Sequence, residues 1–295
     1  MTDLSDRETL LASLVAEGVF SVSETGIPSI ADKDSVASVW IANAIMAKVG
    51  ASQPRPKLSG QAAGSLFEQR VGDFIATVFP QLSLVRCGEF KIDRNRPVSD
   101  FDQYQHLADI ARLAETVGSA SDRREIKIAF GMEYIIKPDV VIFRTPTPKG
   151  MIGSTAAIRN AEAASRSSLL EENKVKPTLH ASVSCKLTLR SDRAQNARSE
   201  ALNLIRNRKG KLPHIALVTA EPTAGRISSL ALGTGDIDCV YHIALPELLE
   251  ATEHYTRSAK GGALRGAASS LELLETLVEG RRLRDIADLP FDLAI

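Results

Sequence analysis

The sequence predicts an α/β fold, a central β-sheet flanked by helices. A mainly helical N-terminal part spans 1–120 and a sheet-bearing core spans 121–295, read together as a single domain. Three patterns predict this. Apolar residues recur at spacings of three and four through the first part. From residue 179 onward, short apolar or alternating runs take turns with helical stretches. No internal repeat or low-complexity tract interrupts the 295 residues, enough to bury a sizeable core.

In chain order, helical spacing covers about 6–17, 35–49, 62–79 and 102–117, with Pro54 and Pro56 marking a linker between the second and third. The β-branched VVIFR after Pro138 and Asp139 reads as a short buried strand. Residues 144–178 contain several Pro and Gly, with a helix expected within 155–171. LHASVSCKLTL (179–189) then alternates strictly: Ala181, Val183, Cys185, Leu187 and Leu189 face one way, and Ser182, Ser184, Lys186 and Thr188 the other. A helix follows, with Ser191 or Asp192 as N-cap, ending near Asn207 before Gly210. HIALVTA (214–220) and CVYHIAL (239–245) read as strands, RISSLAL as a short helix, and 246–258 and 267–279 as the last helices.

Composition is that of an ordinary globular protein, 44% apolar and 24% charged, with a formal net charge of zero. Global charge therefore says nothing about a nucleic-acid partner, and only local clusters can. The three cysteines, Cys87, Cys185 and Cys239, are far apart and in no CxxC spacing. They argue for a reducing compartment and against a disulfide framework or a structural zinc site. The N-terminus is acidic and amphipathic, and no run of about 18 apolar residues occurs. A soluble, cytoplasmic protein with no membrane association is expected.

Chemistry concentrates on the polar face of the 179–189 strand, where Ser184 and Lys186 stand about 7 Å apart. A lysine there can be an edge-strand gatekeeper. Three other residues weigh against so bland a role. Asp139 opens the VVIFR strand 47 residues earlier. A carboxylate at a strand head and a lysine on a neighbouring strand make the layout of metal-dependent phosphodiesterases, in which the carboxylate anchors a divalent cation and the ammonium positions water and stabilises phosphate charge. That layout wants an acid two residues before the lysine, and Ser184 is a poor hard-cation ligand. Glu200, on the stripe Asp192, Asn196, Glu200 of the following helix, can supply the missing carboxylate. Glu68 shares a stripe with Gly64, Val71, Ile75 and Val78 and borders a core-facing surface, where a salt bridge to a buried arginine is its plain alternative.

From Arg190 to Lys211 there are seven basic residues against Asp192 and Glu200, a local net charge of +5. A basic helix face is usually just solvated. Arg190 and Arg193 flanking Asp192 suggest more: arginine reads guanine O6 and N7, and aspartate accepts from cytosine N4. Phosphate binding alone would not want Asp192. GTGDIDC (233–239) lacks the context of a phosphate loop and reads as a turn. The five histidines are scattered in no ligand spacing.

SCKLTLRSDRAQNARSEALNLIRNRKGKLPHIALVTAEP, RISSLALGTGDIDCVYHIAL and the C-terminal RRLRDIADLPFDLAI closely resemble the NgoMIV-like type II restriction endonucleases, a CCGG-reading group of the PD-(D/E)XK nuclease superfamily. The resemblance is dense over 179–245 and at the C-terminus, recognisable around GQAAGSLFE, and thin elsewhere. It implies a restriction-endonuclease-like core with a mixed sheet, and Mg²⁺-dependent double-strand cleavage of DNA at a palindromic CCGG-containing site, with GCCGGC as the expected one. Asp139, Ser184, Lys186, Glu200 and Glu68 fall on active-site positions. Asp139, the backbone carbonyl of Cys185 and Glu200 would hold two Mg²⁺ ions. Arg190, Asp192 and Arg193 fall on the major-groove readers and Gln61 on a minor-groove contact. Arg226 and Asp32 fall on contacts to the outer base pair, with Asp34 where a serine is expected. Leu187 stands in place of a tryptophan. The implied partners are double-stranded DNA and further copies of the chain, in a homotetramer built as a dimer of dimers. The rival readings are a structure-specific nuclease of the junction-resolving type, which needs no Arg-Asp-Arg reader, and a non-catalytic sequence-specific DNA-binding protein. A structural α/β protein with a solvated basic helix is the plainest reading.

Overall fold

The structure, a computed structural model, describes residues 5–51, 54–56, 58–116, 119, 125, 135–151, 164–233 and 235–295. Its elements begin with α1 (Asp6–Ala16), α2 (Val36–Lys48), α3 (Gly60–Val78), β1 (Phe90–Arg94) and α4 (Gln105–Thr116). Then come β2 (Val140–Arg144), β3 (Thr178–Lys186), α5 (Ser191–Asn207), β4 (His214–Thr219) and α6 (Ala224–Ala231). The chain ends through β5 (Cys239–His242), α7 (Leu245–Ser258), α8 (Gly262–Glu279), β6 (Leu283–Asp285) and α9 (Leu289–Ala294). The strands make one six-stranded sheet in chain order. It is mixed: β1 and β2 are antiparallel, whereas β4–β5 and β5–β6 are parallel. The expected α/β class with N-terminal helices is what the chain adopts.

The chain divides into two compact units, residues 86–182 with 202–214, and residues 1–85 with 183–201 and 215–295. In the first of these, β2 is apolar enough to be buried along Val140–Phe143. β1 pairs with it from Phe90 opposite Arg144 to Arg94 opposite Val140. The Arg96 guanidinium lies 4.6 Å from the Phe143 ring centre and 5.3 Å from that of Phe101, where cation–π attraction adds to packing. Gln103 makes both amide hydrogen bonds to Leu179 at the start of β3: its Nε2 donates to the carbonyl at 2.7 Å and its Oε1 accepts from the N–H at 2.9 Å. Imidazoles His180 and His214 stack edge to face at 5.0 Å, a structural use of two of the scattered histidines.

In the other unit, serines start the helices. Ser5 makes a capping box with Glu8, Ser35 accepts from Ser38 N–H, and Ser59 accepts from Ala62 N–H. α3 buries Ala63, Phe67, Val71, Gly72, Phe74 and Ile75 and leaves Glu68 at the margin of that face. Arg7 on α1 reaches Glu247 of α7 at 2.6 Å and Asp285 of β6 at 2.8 Å, fastening three elements through one guanidinium. Trp40 of α2 packs on His254 and Tyr255 of α7 at 5.3 and 5.2 Å. β5 is buried along its whole length, as a strand in a parallel ladder covered on both faces should be.

Several expectations shift. β3 stops at Lys186 and the chain bends at Leu187 and Thr188, so the alternation of burial outlasts the ladder. The first bond of α5 runs from Ala194 N–H to the Arg190 carbonyl at 2.9 Å, so Arg190 holds the N-cap position and Ser191 and Asp192 lie inside the first turn. CVYHIAL gives up its last residues because Leu245-Pro246 opens α7, proline being suited to the first helical turn. α8 starts at Gly262, ahead of the expected 267. β1, β6 and α9 lie where no element was expected. Of the helix expected within 155–171, residues 155–163 lie outside the described residues, and 164–170 holds turns and no helix. No helix among the described residues is long and apolar enough to cross a membrane.

His242 ends β5 fully buried, and its Nδ1 accepts from Ala244 N–H at 3.1 Å. Burial pushes its pKa down to about 4, against the opposing field of Asp285. With an unfolded value near 6.5, the unfolded chain binds the extra proton between about pH 4 and 6.5. Stability from this group is whole above that window and is lost as pH falls through it, by about 3 kcal/mol in all. Denaturant melts of the wild type and of His242→Asn at pH 7, 6, 5 and 4.5 test this: the wild type should lose more stability on acidification. Equal pH slopes would refute the assignment.

Candidate active site and DNA-reading surface

β3 is the third of six strands, so Lys186 is not on a sheet edge and the gatekeeper explanation lapses. Leu179 to Val183 are buried on both faces. From Ser184 the polar face opens: Ser184, Lys186 and Thr188 are half-buried while Cys185, Leu187 and Leu189 remain covered. The two polar side chains thus appear where the strand leaves the closed part of the sheet.

Glu200 on α5 comes back to that face. The Ser184 hydroxyl donates to Glu200 Oε2 at 3.4 Å, a long bond that places a carboxylate beside the strand position where an acid is missing. This proximity follows from the helix phase, since Ala197, Ala201 and Leu204 bury the inner stripe and Glu200 flanks it, half-buried. Glu68, also half-buried, lies on α3 next to the fully buried Phe67. Asp139 belongs to the other unit, half-buried and one residue ahead of β2, after a buried Pro138 whose carbonyl accepts from Asn95 N–H at 3.1 Å.

Among the described residues no three His, Cys, Asp or Glu side chains gather as a metal cluster. The donor beside Ser184 is a hard oxygen one, the Glu200 carboxylate. Such a sparse oxygen set fits Mg²⁺, which keeps several waters and is commonly held by one or two carboxylates with substrate phosphate. It does not fit a thiolate or imidazole zinc centre.

The base-reading candidates assemble at the start of α5. Arg190 and Arg193 line a recess of about 180 Å³ with Gly18, Ser29, Gly60 and Thr188. Arg193 Nη1 donates to Thr188 Oγ1 at 3.0 Å, which ties the side chain back to the end of the strand. A methyl group on Gly60 would stand 3.8 Å from the Arg193 guanidinium, so the first turn of α3, which carries the exposed Gln61, lies against this arginine. Arg190 and Asp192 are exposed.

Arg226, half-buried on α6, forms an ion pair with Asp32. The Asp34 N–H donates to Asp32 Oδ1 at 3.2 Å, while the Asp34 side chain points to solvent. That N–H, then Arg226, and more weakly Arg190, hold the Asp32 carboxyl below the usual range. The Arg226–Asp32 pair sets donors beside an acceptor, the two functions that a G·C pair presents across its major-groove edge.

One residue of this cluster escaped the sequence reading. Glu221 follows β4 and is fully buried. Its Oε2 accepts from Leu189 N–H at 2.8 Å and lies 3.7 Å from Arg226 Nη1, and its Oε1 accepts from Thr223 N–H at 3.1 Å. The signal was a charge at the end of the apolar run HIALVTA, before a proline, which reads locally as the start of a loop.

Residues 10–295 match the family described as the NgoMIV restriction enzyme. The chain is 39% identical over 295 residues to the type II restriction enzyme NgoMIV of Neisseria gonorrhoeae, covering 98% of each chain. A solved complex of the restriction endonuclease PspGI with substrate DNA aligns over 98% of this chain and 90% of that one, at 13% identity and a TM-score of 0.31, too loose to say more of the fold. By the extent of the family match and the identity to NgoMIV, the chain belongs to the NgoMIV restriction enzyme family.

Proposed function

We propose that this protein is a type II restriction endonuclease making Mg²⁺-dependent double-strand cuts in DNA at a palindromic CCGG-containing site, GCCGGC in the first instance. The observation that carries the reading is the β3–α5 stretch. Within it Ser184 stands beside Glu200, Lys186 shares the open polar face, and Arg190 and Arg193 line a recess a few residues further on.

In this reading Asp139, Glu200 and the Cys185 carbonyl would hold the metal ions, and Glu68 would complete the acidic set. Mg²⁺, two ions per site, would supply positive charge near the scissile phosphate and make water a better nucleophile. Lys186 orients that water and stabilises charge developing on the phosphoryl oxygens. Ser184 keeps Glu200 turned to the strand. Arg190, Asp192 and Arg193 read the CCGG core in the major groove, and Gln61 approaches from the minor groove. Arg226, Asp32 and Asp34 address the outer base pair, for which the Arg226–Asp32 pair is complementary to G·C. The active form is a cytoplasmic homotetramer, a dimer of dimers, as the family resemblance implies.

Incubation with a plasmid carrying GCCGGC sites, with Mg²⁺ or with EDTA, tests the reaction. Cleavage should occur at those sites and stop with EDTA; no Mg²⁺-dependent cleavage at any CCGG-containing site would overturn the reading. Lys186→Ala should lower single-turnover cleavage by about 10²–10³, the scale for losing one charge-stabilising group. It should leave specific DNA binding in place; a normal cutting rate would remove Lys186 from the chemistry. Asp192→Ala should weaken binding to CCGG sites by about 1–3 kcal/mol while non-specific binding holds. Unchanged cleavage with that variant would favour a structure-specific nuclease, and binding without cleavage in the wild type a non-catalytic reader.

A further inference from the structure

We infer that Glu221 is a positioning residue for sequence recognition. It fixes the outer-pair arginine, Arg226, in register with the core reader that begins at Arg190. The inference rests on the reading above and adds a residue to it.

A buried carboxylate costs several kcal/mol unless its oxygens are satisfied. Glu221 meets that condition in a particular way. Its two N–H donors come from separate segments: Leu189 directly precedes Arg190, and Thr223 precedes α6, which carries Arg226. The remaining interaction is with Arg226 itself, 3.7 Å from Oε2. Arg226 therefore lies between two carboxylates, with Asp32 on Nη2 and Glu221 on Nη1. Asp32 is partly exposed and is itself a candidate base contact, free to exchange its partner on binding DNA. Glu221 is sealed and cannot. When Asp32 turns to a base, Glu221 remains to hold the guanidinium. Because the same oxygen also holds Leu189 N–H, the placement of Arg226 is referred to the start of the core reader and not to its own helix alone.

A glutamine at this position keeps an acceptor for one of the two N–H donors, turns its amide nitrogen to the other, and carries no charge for Arg226. Single-turnover cleavage is measured on four plasmids that keep CCGG and vary only the outer base pair, for the wild type, Glu221→Gln, Arg226→Gln and the double variant. Glu221→Gln should lose about tenfold in the preference for the favoured outer pair, the scale of one lost bidentate contact, while still requiring the CCGG core. The double variant should lose little more than Arg226→Gln alone, because Glu221 acts through Arg226. Additive losses, or an unchanged preference in Glu221→Gln, would overturn the inference and leave the proposed function standing. If the wild type favours an outer pair other than G·C, the GCCGGC assignment fails and the cycle is scored on the pair it does favour. No preference among the four would overturn the inference too. Should Glu221→Gln not fold by circular dichroism, Glu221→Asp takes its place. It keeps the charge but withdraws it from Arg226 by about one methylene, and the same non-additivity is required.

Discussion

Between Ser182 and Ser184 the polar face of β3 passes from buried to half-open, and only Lys186 remains before the ladder ends. This constrains everything that follows. Upstream of Ser184 a lysine would be a buried charge in need of a partner. Beyond Lys186 a side chain no longer has the sheet to fix its direction. Ser184 and Lys186 occupy the short interval where both conditions are met, with backbone rigidity on one side and solvent access on the other. A carboxylate reaches Ser184 from α5, which leaves the strand by a short bend. Its apolar inner stripe sets the phase that puts Glu200 there.

A second tier of contacts gives the reading surface its shape. Leu189, the last covered residue before α5, is held by the buried Glu221, which also meets the turn into α6 and the guanidinium of Arg226. Thr188 steadies Arg193 from the strand side, and the first turn of α3 closes in at Gly60. Arg193 and Arg226 are thus each held by a neighbouring side chain, Thr188 for the one and the buried Glu221 for the other, whereas Arg190 is exposed. Long cationic side chains lose considerable rotamer freedom on contacting DNA, and restraint before binding reduces that loss.

The legible parts of the fold were those whose side chains repeat with a clean period. The four N-terminal helices, the VVIFR strand and the alternation along LHASVSCKLTL needed no tertiary information to find. β1 was missed because FKIDR has three charges in five residues and lies at the end of the sheet, where its pattern looks like loop. β6 is three residues long, two of them charged, and exists because β5 offers it a parallel partner. Of the site, Ser184, Lys186 and Glu200 could be related through strand and helix phase. Glu221 could not, because its satisfaction depends on Leu189, 32 residues away in the chain. The N-cap of α5 misled for a related reason. Ser191 and Asp192 have the side chains that caps prefer, but the bend after β3 delivers the Arg190 carbonyl to the first helical bond.

That shift of one residue has an electrostatic meaning. With Arg190 at the N-cap and Arg193 in the first turn, α5 presents two cations at the positive end of its own dipole, offset within that turn by Asp192. Such placements oppose helix formation by roughly 0.3–1 kcal/mol each at low salt. In the free protein the beginning of α5 is therefore under a small, local field penalty that its packing has to outweigh. The approach of a polyanion reverses the sign: the positive end of the helix and the two guanidiniums then face negative charge together. If α5 reads the bases as proposed, its first turn becomes more stable by meeting them.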